Sequence, residues 1–521
     1  MAKKNKPLKT NSKSGQVVQS SKSKKPEVNA PLHPWIEAIL RPQSIFLFLA
    51  VVFGLFFAFT LPPFQVPDEA AHMFRAYQLS KFDFTVETQN NVYGNYQLPS
   101  PDNAVGGTYL PSSFDSVQMK FAHLRFHPER RTSKKEIQDA AAIQLEPEKV
   151  KFTEMTAGNY SHFSYLPQLP AIYVGRLLNL NVLSIFYLGR IFALAFYIFC
   201  VWYSIRIIPF GKNVFLALGL IPMSLSLAGS YSGDCVAISF AFLAVSLSLY
   251  LSSQTKINLK DTRLILLMTI VSLYGVLKPI YFPFILLILL ITPKSFTVKK
   301  EYYMMLAITF VGALLFTLGW RQISIINTIP NPDIVAKEII QTPSYQFHLI
   351  LNNPLILFDI LSETLKAKST FYYNSLIGIL GYLDTRLPKW IYDGYYLLMI
   401  LVAFLDYKKS YIFSIYHRVL ILVLSLGMFL LTIFTMFIMD GIESKDTLVA
   451  QGVQGRYFIP ILIMFLPVLY GLLPFKKFLA SVNTFITIVI FIVCFVILYQ
   501  VEHTLYLRYF VEGNDYLKYI Q

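Results

Sequence analysis

Uncharged apolar runs long enough to cross a lipid bilayer recur along this chain, at 42–67, 214–233, 235–255, 302–320, 419–439, 457–475 and 478–501. A spanning helix needs about 20 predominantly apolar residues to cover a hydrocarbon core about 30 Å thick. Inside lipid the backbone must satisfy its own N–H and C=O groups, so such runs fold as helices. Composition agrees: 14% of the 521 residues are charged, against about 25% in an ordinary soluble domain. An aromatic share of 16% is far from that of a disordered chain. The class is an all-α, multi-pass protein of the cell membrane.

Two more spans are expected at about 183–207 and 388–405, each shorter or flanked by charge. The apolar stretch 264–293 is interrupted by Lys278-Pro279. As one helix it would reach about 45 Å, so it reads as two short helices. The expectation is about eleven transmembrane helices. Lys and Arg set their orientation. With the N-terminus inside, the cytoplasmic loops hold Arg206, Lys212, Lys256, Lys260, Arg263, Lys294, Lys299, Lys300, Lys408, Lys409, Arg418, Lys476 and Lys477. The opposite short loops hold Lys278, Lys445 and Arg456. This bias absorbs much of the net charge of +15 and calls for no nucleic acid.

The organisation that follows is a disordered basic cytoplasmic tail over 1–43, a membrane domain over 44–500 and a short extracytoplasmic tail over 501–521. Two large extracytoplasmic loops, about 62–182 and 321–387, carry short amphipathic helices such as 347–365, suited to the membrane surface. The first also holds turn-rich pieces at 94–101 and Gly106-Gly107 and a charged stretch over 125–151. Cys200, Cys235 and Cys494 lie in or beside apolar runs and read as small buried hydrophobes. The sequence shows no internal repeat, which weighs against an inverted-repeat transporter.

Polar groups at membrane depth cost roughly 2.5–3.5 kcal/mol each on insertion scales. The densest cluster follows the first span, in Phe64-Gln-Val-Pro-Asp-Glu-Ala-Ala-His-Met-Phe-Arg75. Pro67 suits a helix start, and Asp68 and Glu69 suit its first turn. Helical spacing puts Asp68, His72 and Arg75 on one face and brings Glu69 within reach of His72. Two readings stand side by side. One is an extracytoplasmic acid–base site in which a carboxylate deprotonates a sugar hydroxyl and His72 or Arg75 orients it. The other is an amphipathic surface helix with ordinary charge pairs. A di-iron Glu-x-x-His element, here Glu69 and His72, needs a second copy on another helix, and the sequence has none.

Further candidates are scattered. Asp234, in Gly229-Ser-Tyr-Ser-Gly-Asp234, is a turn residue or a site acid. Lys278 at a helix break either binds a lipid phosphate as a point charge or snorkels to the headgroups. Arg190 falls inside the second span. Arg456 opens the tenth span, where a guanidinium grips phosphate bidentately or anchors the interface. Asp384 and Arg386 form a turn with an ion pair, or join the site.

Taken together, Pro67-Asp-Glu-Ala-Ala-His72, Gly189-Arg190, Ser230-Tyr-Ser-Gly-Asp234, Leu277-Lys-Pro279, Gly381-Tyr-Leu-Asp384 and Gln454-Gly-Arg-Tyr-Phe458 resemble the bacterial membrane family called domain of unknown function 2142. The resemblance runs from about 45 to 500. That family is similar in turn to the integral-membrane glycosyltransferases called GT-C, which take a sugar from a polyprenyl phosphate and carry an acid just after the first span. The resemblance implies a GT-C-like fold. It also implies transfer of a sugar or oligosaccharide from a polyprenyl-phosphate-linked donor to a cell-surface or cell-wall polysaccharide acceptor on the outer face. Under it, Asp68, Glu69 and His72 are the catalytic candidates, and Arg75, Lys278 and Arg456 hold the donor phosphate. Arg190, Asp234, Asp384 and Arg386 are further candidates. The competing readings are a transporter or flippase for lipid-linked saccharides and a non-catalytic scaffold. No cofactor is specified; a divalent metal bridging carboxylate and phosphate is compatible with the acids.

Overall fold

The computed structural model describes residues 33–90, 104–326, 328–329, 343–406, 413–439, 447–472, 476–511, 516 and 518. Most of the basic tail, the turns at 94–101, and Lys408, Lys409 and Lys445 lie outside the described residues. A short helix, α1 (Pro34–Ile39), belongs to a unit of its own over 1–39.

The membrane unit opens with α2 (Pro42–Thr60), whose Pro42 sits at the first helical position, where an N–H has no partner anyway. After a tight loop come α3 (Glu69–Leu79), β1 (Val86–Asn90), β2 (Ala104–Pro111), α4 (Ser112–Phe121), α5 (Lys134–Ala141), β3 (Val150–Glu154) and α6 (Gln168–Leu177). Ser133 and Glu136 close a capping box on α5. Helix α7 (Val182–Ile207) is capped by the Asn181 side chain, which accepts from Ser184 N at 2.7 Å. Then follow α8 (Lys212–Gly219), α9 (Pro222–Ala228), α10 (Gly233–Ser252) and α11 (Thr262–Leu277). Lys278-Pro279 breaks the chain as the sequence predicts, and a 3-10 stretch continues over Pro279–Leu290. The rest comprises α12 (Lys299–Ile326), β4 (Thr328–Ile329), α13 (Pro343–Asn352), α14 (Ile356–Ile377), α15 (Lys389–Leu405), α16 (Ile415–Met439), α17 (Ile459–Phe465) and α18 (Lys476–Phe510).

Among the described residues, six helices are long and apolar enough to cross a membrane: α2, α7, α10, α12, α16 and the Thr484–Phe510 part of α18. The other five expected spans take different forms. Three are shorter apolar pieces, Thr262–Leu277, Pro279–Leu290 and Gly455–Leu469, and one is the 17-residue α15. The fifth, 214–233, is not a continuous helix: it divides into α8 and α9 at Leu220-Ile221, because Pro222 cannot continue the α8 hydrogen-bond ladder. Helix α10 is the axis of the bundle, with 89% of its apolar window buried, whereas only 17% of that of α12 is buried. With no hydrophobic drive between helices in lipid, α12 leaves a bare apolar flank.

The all-α expectation also misses a four-stranded sheet, ordered β3-β2-β1-β4, in which β1 and β2 pair antiparallel and β4 joins β1 in parallel. Gly106-Gly107, expected as a turn, lies inside β2. A Cβ at Gly107 would come within 2.4 Å of the Thr153 carbonyl oxygen on β3, so close strand approach accounts for the glycine. The amphipathic stretch 347–365 is split between α13 and α14 around Pro354.

Candidate functional site

The site lies where α2 and α11 end and α7 and α10 begin. The loop after α2 turns through Phe64 (φ +63°) and Asp68 (φ +61°), both left-handed. Asp tolerates this conformation better than a bulky residue does. The consequence is that Asp68 caps α3 from outside while Glu69 is its first residue, and the two adjacent acids diverge.

Glu69 points into the bundle and is fully buried against Arg190 of α7. Arg190 Nε donates to Glu69 Oε1 at 2.9 Å and Nη2 donates to Oε2 at 2.7 Å. Arg190 Nη1 donates to the carbonyls of Ala58 and Leu61 at 2.8 and 2.7 Å, and Nη2 to that of Pro62 at 3.2 Å. A guanidinium has five N–H groups, and here each has an acceptor. The Tyr231 backbone N–H adds a bond to Glu69 Oε1 at 3.2 Å. Gly189 is explained by the same packing: a Cβ there would stand 1.9 Å from the Tyr231 hydroxyl, which donates to the Ile185 carbonyl. This arrangement ties the end of α2 to α3, α7 and the start of α10. Arg190 has no donor to spare for a ligand, and Glu69 is enclosed with it.

Asp68 points the other way. Its side chain is 51% exposed, and its Oδ2 lies 3.6 Å from Arg456 Nη2. The Nε of Arg456 lies 3.3 Å from Asp234 Oδ2, and Lys278 Nζ lies 2.5 Å from Asp234 Oδ1. An acid, a cation, an acid and a cation therefore alternate along one row that starts at the half-exposed Asp68, contributed by four segments far apart in sequence. Each position has a local cause. Ser232 caps α10 by accepting from the Asp234 N–H, which places Asp234 in the first turn. Lys278 ends α11 because Pro279 follows. Gly455 lets the 3-10 turn carrying Arg456 approach α14 closely: a Cβ there would lie 2.3 Å from Leu376 N and Tyr372 O. The Lys278 ammonium also sits 3.8 Å from the centroid of the Tyr457 ring, a cation–π contact.

His72, one turn on from Asp68, completes the group. Its Nδ1 is 2.7 Å from the Tyr165 hydroxyl, and its ring meets that of Tyr160 edge-on at 4.9 Å. Burial pushes the imidazole pKa down to about 4; Asp68 and Asp234 pull it the other way, and Arg456 and Lys278 reinforce the drop. His72 is thus neutral at pH 7.

Arg75, expected on the same face, is turned away. It donates to the Tyr160 carbonyl at 3.2 Å and to Gln78 Oε1 at 2.5 Å, and Gln78 in turn reaches Thr85 and Thr108. Arg75 fastens α3 to the sheet. Asp384 lies in a separate clamp, 3.1 Å from Arg508 Nη2, and accepts from the Phe126 N–H at 3.1 Å. Arg508 also donates to the carbonyls of Arg130 and Leu124. The Arg386 backbone, not its exposed side chain, meets Tyr516.

In front of Asp68 opens a cleft of about 540 Å³, whose walls include Asp115, Arg125, Lys151, Glu154 and Tyr382. The Asp384–Arg508 clamp holds the loop that brings Arg125 to this cleft, and Arg125 rests over the Tyr382 ring at 4.9 Å. Sequence reasoning missed Tyr160, Tyr165 and Arg508, which carry no local signal; Arg125 was visible only as part of the charged stretch 125–151 and Tyr382 only as the neighbour of Gly381. Tyr457 was visible only as the neighbour of Arg456. Among the described residues, no group of three or more His, Cys, Asp or Glu side chains is placed to hold a metal ion.

Chemically, the arrangement offers one water-facing carboxylate, a neutral imidazole and two largely enclosed cations on either side of Asp234. Neither a curated protein nor a solved structure matches the chain. A family model described as "Predicted membrane protein (DUF2142)" matches residues 51–465. The apolar helices and this match over most of its length agree, and the chain belongs to the DUF2142 family of membrane proteins.

Proposed function

We propose that this protein is a membrane glycosyltransferase. It would move a sugar or oligosaccharide from a polyprenyl-phosphate-linked donor to a cell-surface or cell-wall polysaccharide, working at the extracytoplasmic face with its N-terminus in the cytoplasm. The single observation that carries the reading is the alternating row from Asp68 through Arg456 and Asp234 to Lys278, with its first acid in a polar cleft and its two cations on either side of the largely buried Asp234.

In this reading the acceptor hydroxyl enters the cleft and gives its proton to the Asp68 carboxylate as its oxygen attacks the anomeric carbon. The bond from that carbon to the carrier phosphate oxygen breaks, and its electron pair leaves with the phosphate. Lys278 and Arg456 stabilise the charge gathering there, the kind of term that usually dominates such catalysis. His72, neutral and held at Nδ1 by Tyr165, positions the acceptor. Glu69 and Arg75 are committed elsewhere and take no part in the step. The charges gather at helix ends rather than at mid-helix, which supports a site at the membrane boundary over a transport path.

The test is Asp68→Asn in the native host. The expected result is loss of one sugar from the surface polysaccharide while the protein stays membrane-inserted at the parent level. Unchanged polysaccharide composition would favour the scaffold reading and end this one.

A further inference from the structure

On the other side of the charge row lies a second hollow, of about 450 Å³, between the broken end of α11 and the bare flank of α12. Its apolar walls come from Val276, Leu277, Pro279, Trp320 and Ile325. It contains two cationic residues, Lys278 at its inner end and the exposed Arg321 of α12, and no acidic residue. Arg321 has no ion-pair partner among the described residues. Thr317, on the same wall, has a buried hydroxyl oxygen without a hydrogen-bond partner. The hollow owes its depth to Gly275, where a Cβ would stand 2.1 Å from Thr317 Oγ1. Trp320 is pinned by donating to the Asn159 carbonyl at 3.0 Å, and Tyr160 walls the inner end next to His72.

An apolar trough lined by cations alone complements an amphiphile with an anionic head. Because α12 is the least buried of the long helices, such a molecule enters sideways from the bilayer and never has to leave it. We infer that this α11–α12 groove seats the hydrocarbon chain of the phosphate-linked carrier, with Arg321 and the Thr317 hydroxyl guiding its phosphate to Lys278, beside Arg456. The inference rests on the sugar-transfer reading for the identity of the occupant. It goes beyond that reading in giving the carrier its own entrance, opposite the polar cleft. Donor and acceptor then reach the row of charges from opposite sides, one through lipid and one through water.

The test uses the full-length protein in phosphatidylcholine nanodiscs and a polyprenyl monophosphate bearing a photoactivatable group on its first isoprene unit. Adducts are expected within 275–279 and 317–325. Unlabelled polyprenyl monophosphate should compete, whereas phosphatidylglycerol and inorganic phosphate should not. Arg321→Glu, which changes an exposed residue, should lower labelling about tenfold, the scale of one lost charged contact, and Ser324→Trp, which fills the trough, should lower it by exclusion. Adducts elsewhere, or undiminished labelling in both variants, would overturn the groove assignment. Equal competition by phosphatidylglycerol would overturn the choice of occupant. Asp68→Asn separates the two proposals: if it retains transfer activity the catalytic reading fails, and the labelling still judges the groove.

Discussion

Replacing Glu69 with glutamine removes the counter-charge of a guanidinium whose every N–H already has an acceptor. The pair is fully buried. Three of the acceptors of Arg190 are backbone carbonyls at the end of α2, and these supply partial charge but no full negative charge. Breaking one side of a buried ion pair costs about 3–5 kcal/mol, because the remaining ion keeps its desolvation penalty. Asp68→Asn, one residue away, is different. Its carboxylate is half-exposed and 3.6 Å from its cation, a contact worth about 1 kcal/mol or less. The two neighbours should therefore separate cleanly, Glu69→Gln losing stability and Asp68→Asn losing transfer. The assay is denaturation in mixed micelles followed by tryptophan fluorescence, with Arg190→Gln and the double variant completing a cycle. The coupling term should reach about 2 kcal/mol or more. Glu69→Gln within about 1 kcal/mol of the parent would refute the claim that this carboxylate serves the fold.

Gly189→Ala should destabilise by about 1–3 kcal/mol, the usual cost of forcing a methyl into a filled core, because the new Cβ meets the Tyr231 hydroxyl at 1.9 Å; the same denaturation assay reads it. His72 makes stability pH-dependent in a defined window. Its pKa falls from 6.5 to about 4 on folding, so between those values the unfolded chain binds the extra proton. Stability should be fully present above pH 6.5 and decline by about 3 kcal/mol as pH falls towards 4. His72→Gln should flatten that part of the profile. Orientation is tested by thiol labelling: Lys120→Cys should react with an impermeant reagent on intact cells, and Ser20→Cys should not. The three native cysteines are buried and contribute little background.

Apolar run length is a local property, and it alone brought the helices, the break at Lys278-Pro279 and the membrane class within reach of the amino-acid order. The same holds for the candidates Asp68, His72, Lys278 and Arg456, which stand out as polar groups at the edges of apolar runs. What local pattern could not show is which neighbour each charge would choose. Asp68 and Glu69 look interchangeable on a helical wheel, yet a left-handed turn at Asp68 sends one to the cleft and the other to Arg190, 121 positions away. Arg75 has the spacing of a site residue and is claimed by Gln78 and the Tyr160 carbonyl instead. The sheet was likewise beyond a periodicity argument, since strand pairing is settled by distant partners, whereas the division of 214–233 into two helices has a local cause in Pro222. A buried charge takes whichever partner the packed helices bring within contact distance. That selection follows from chain closure over long separations, not from the residues beside it.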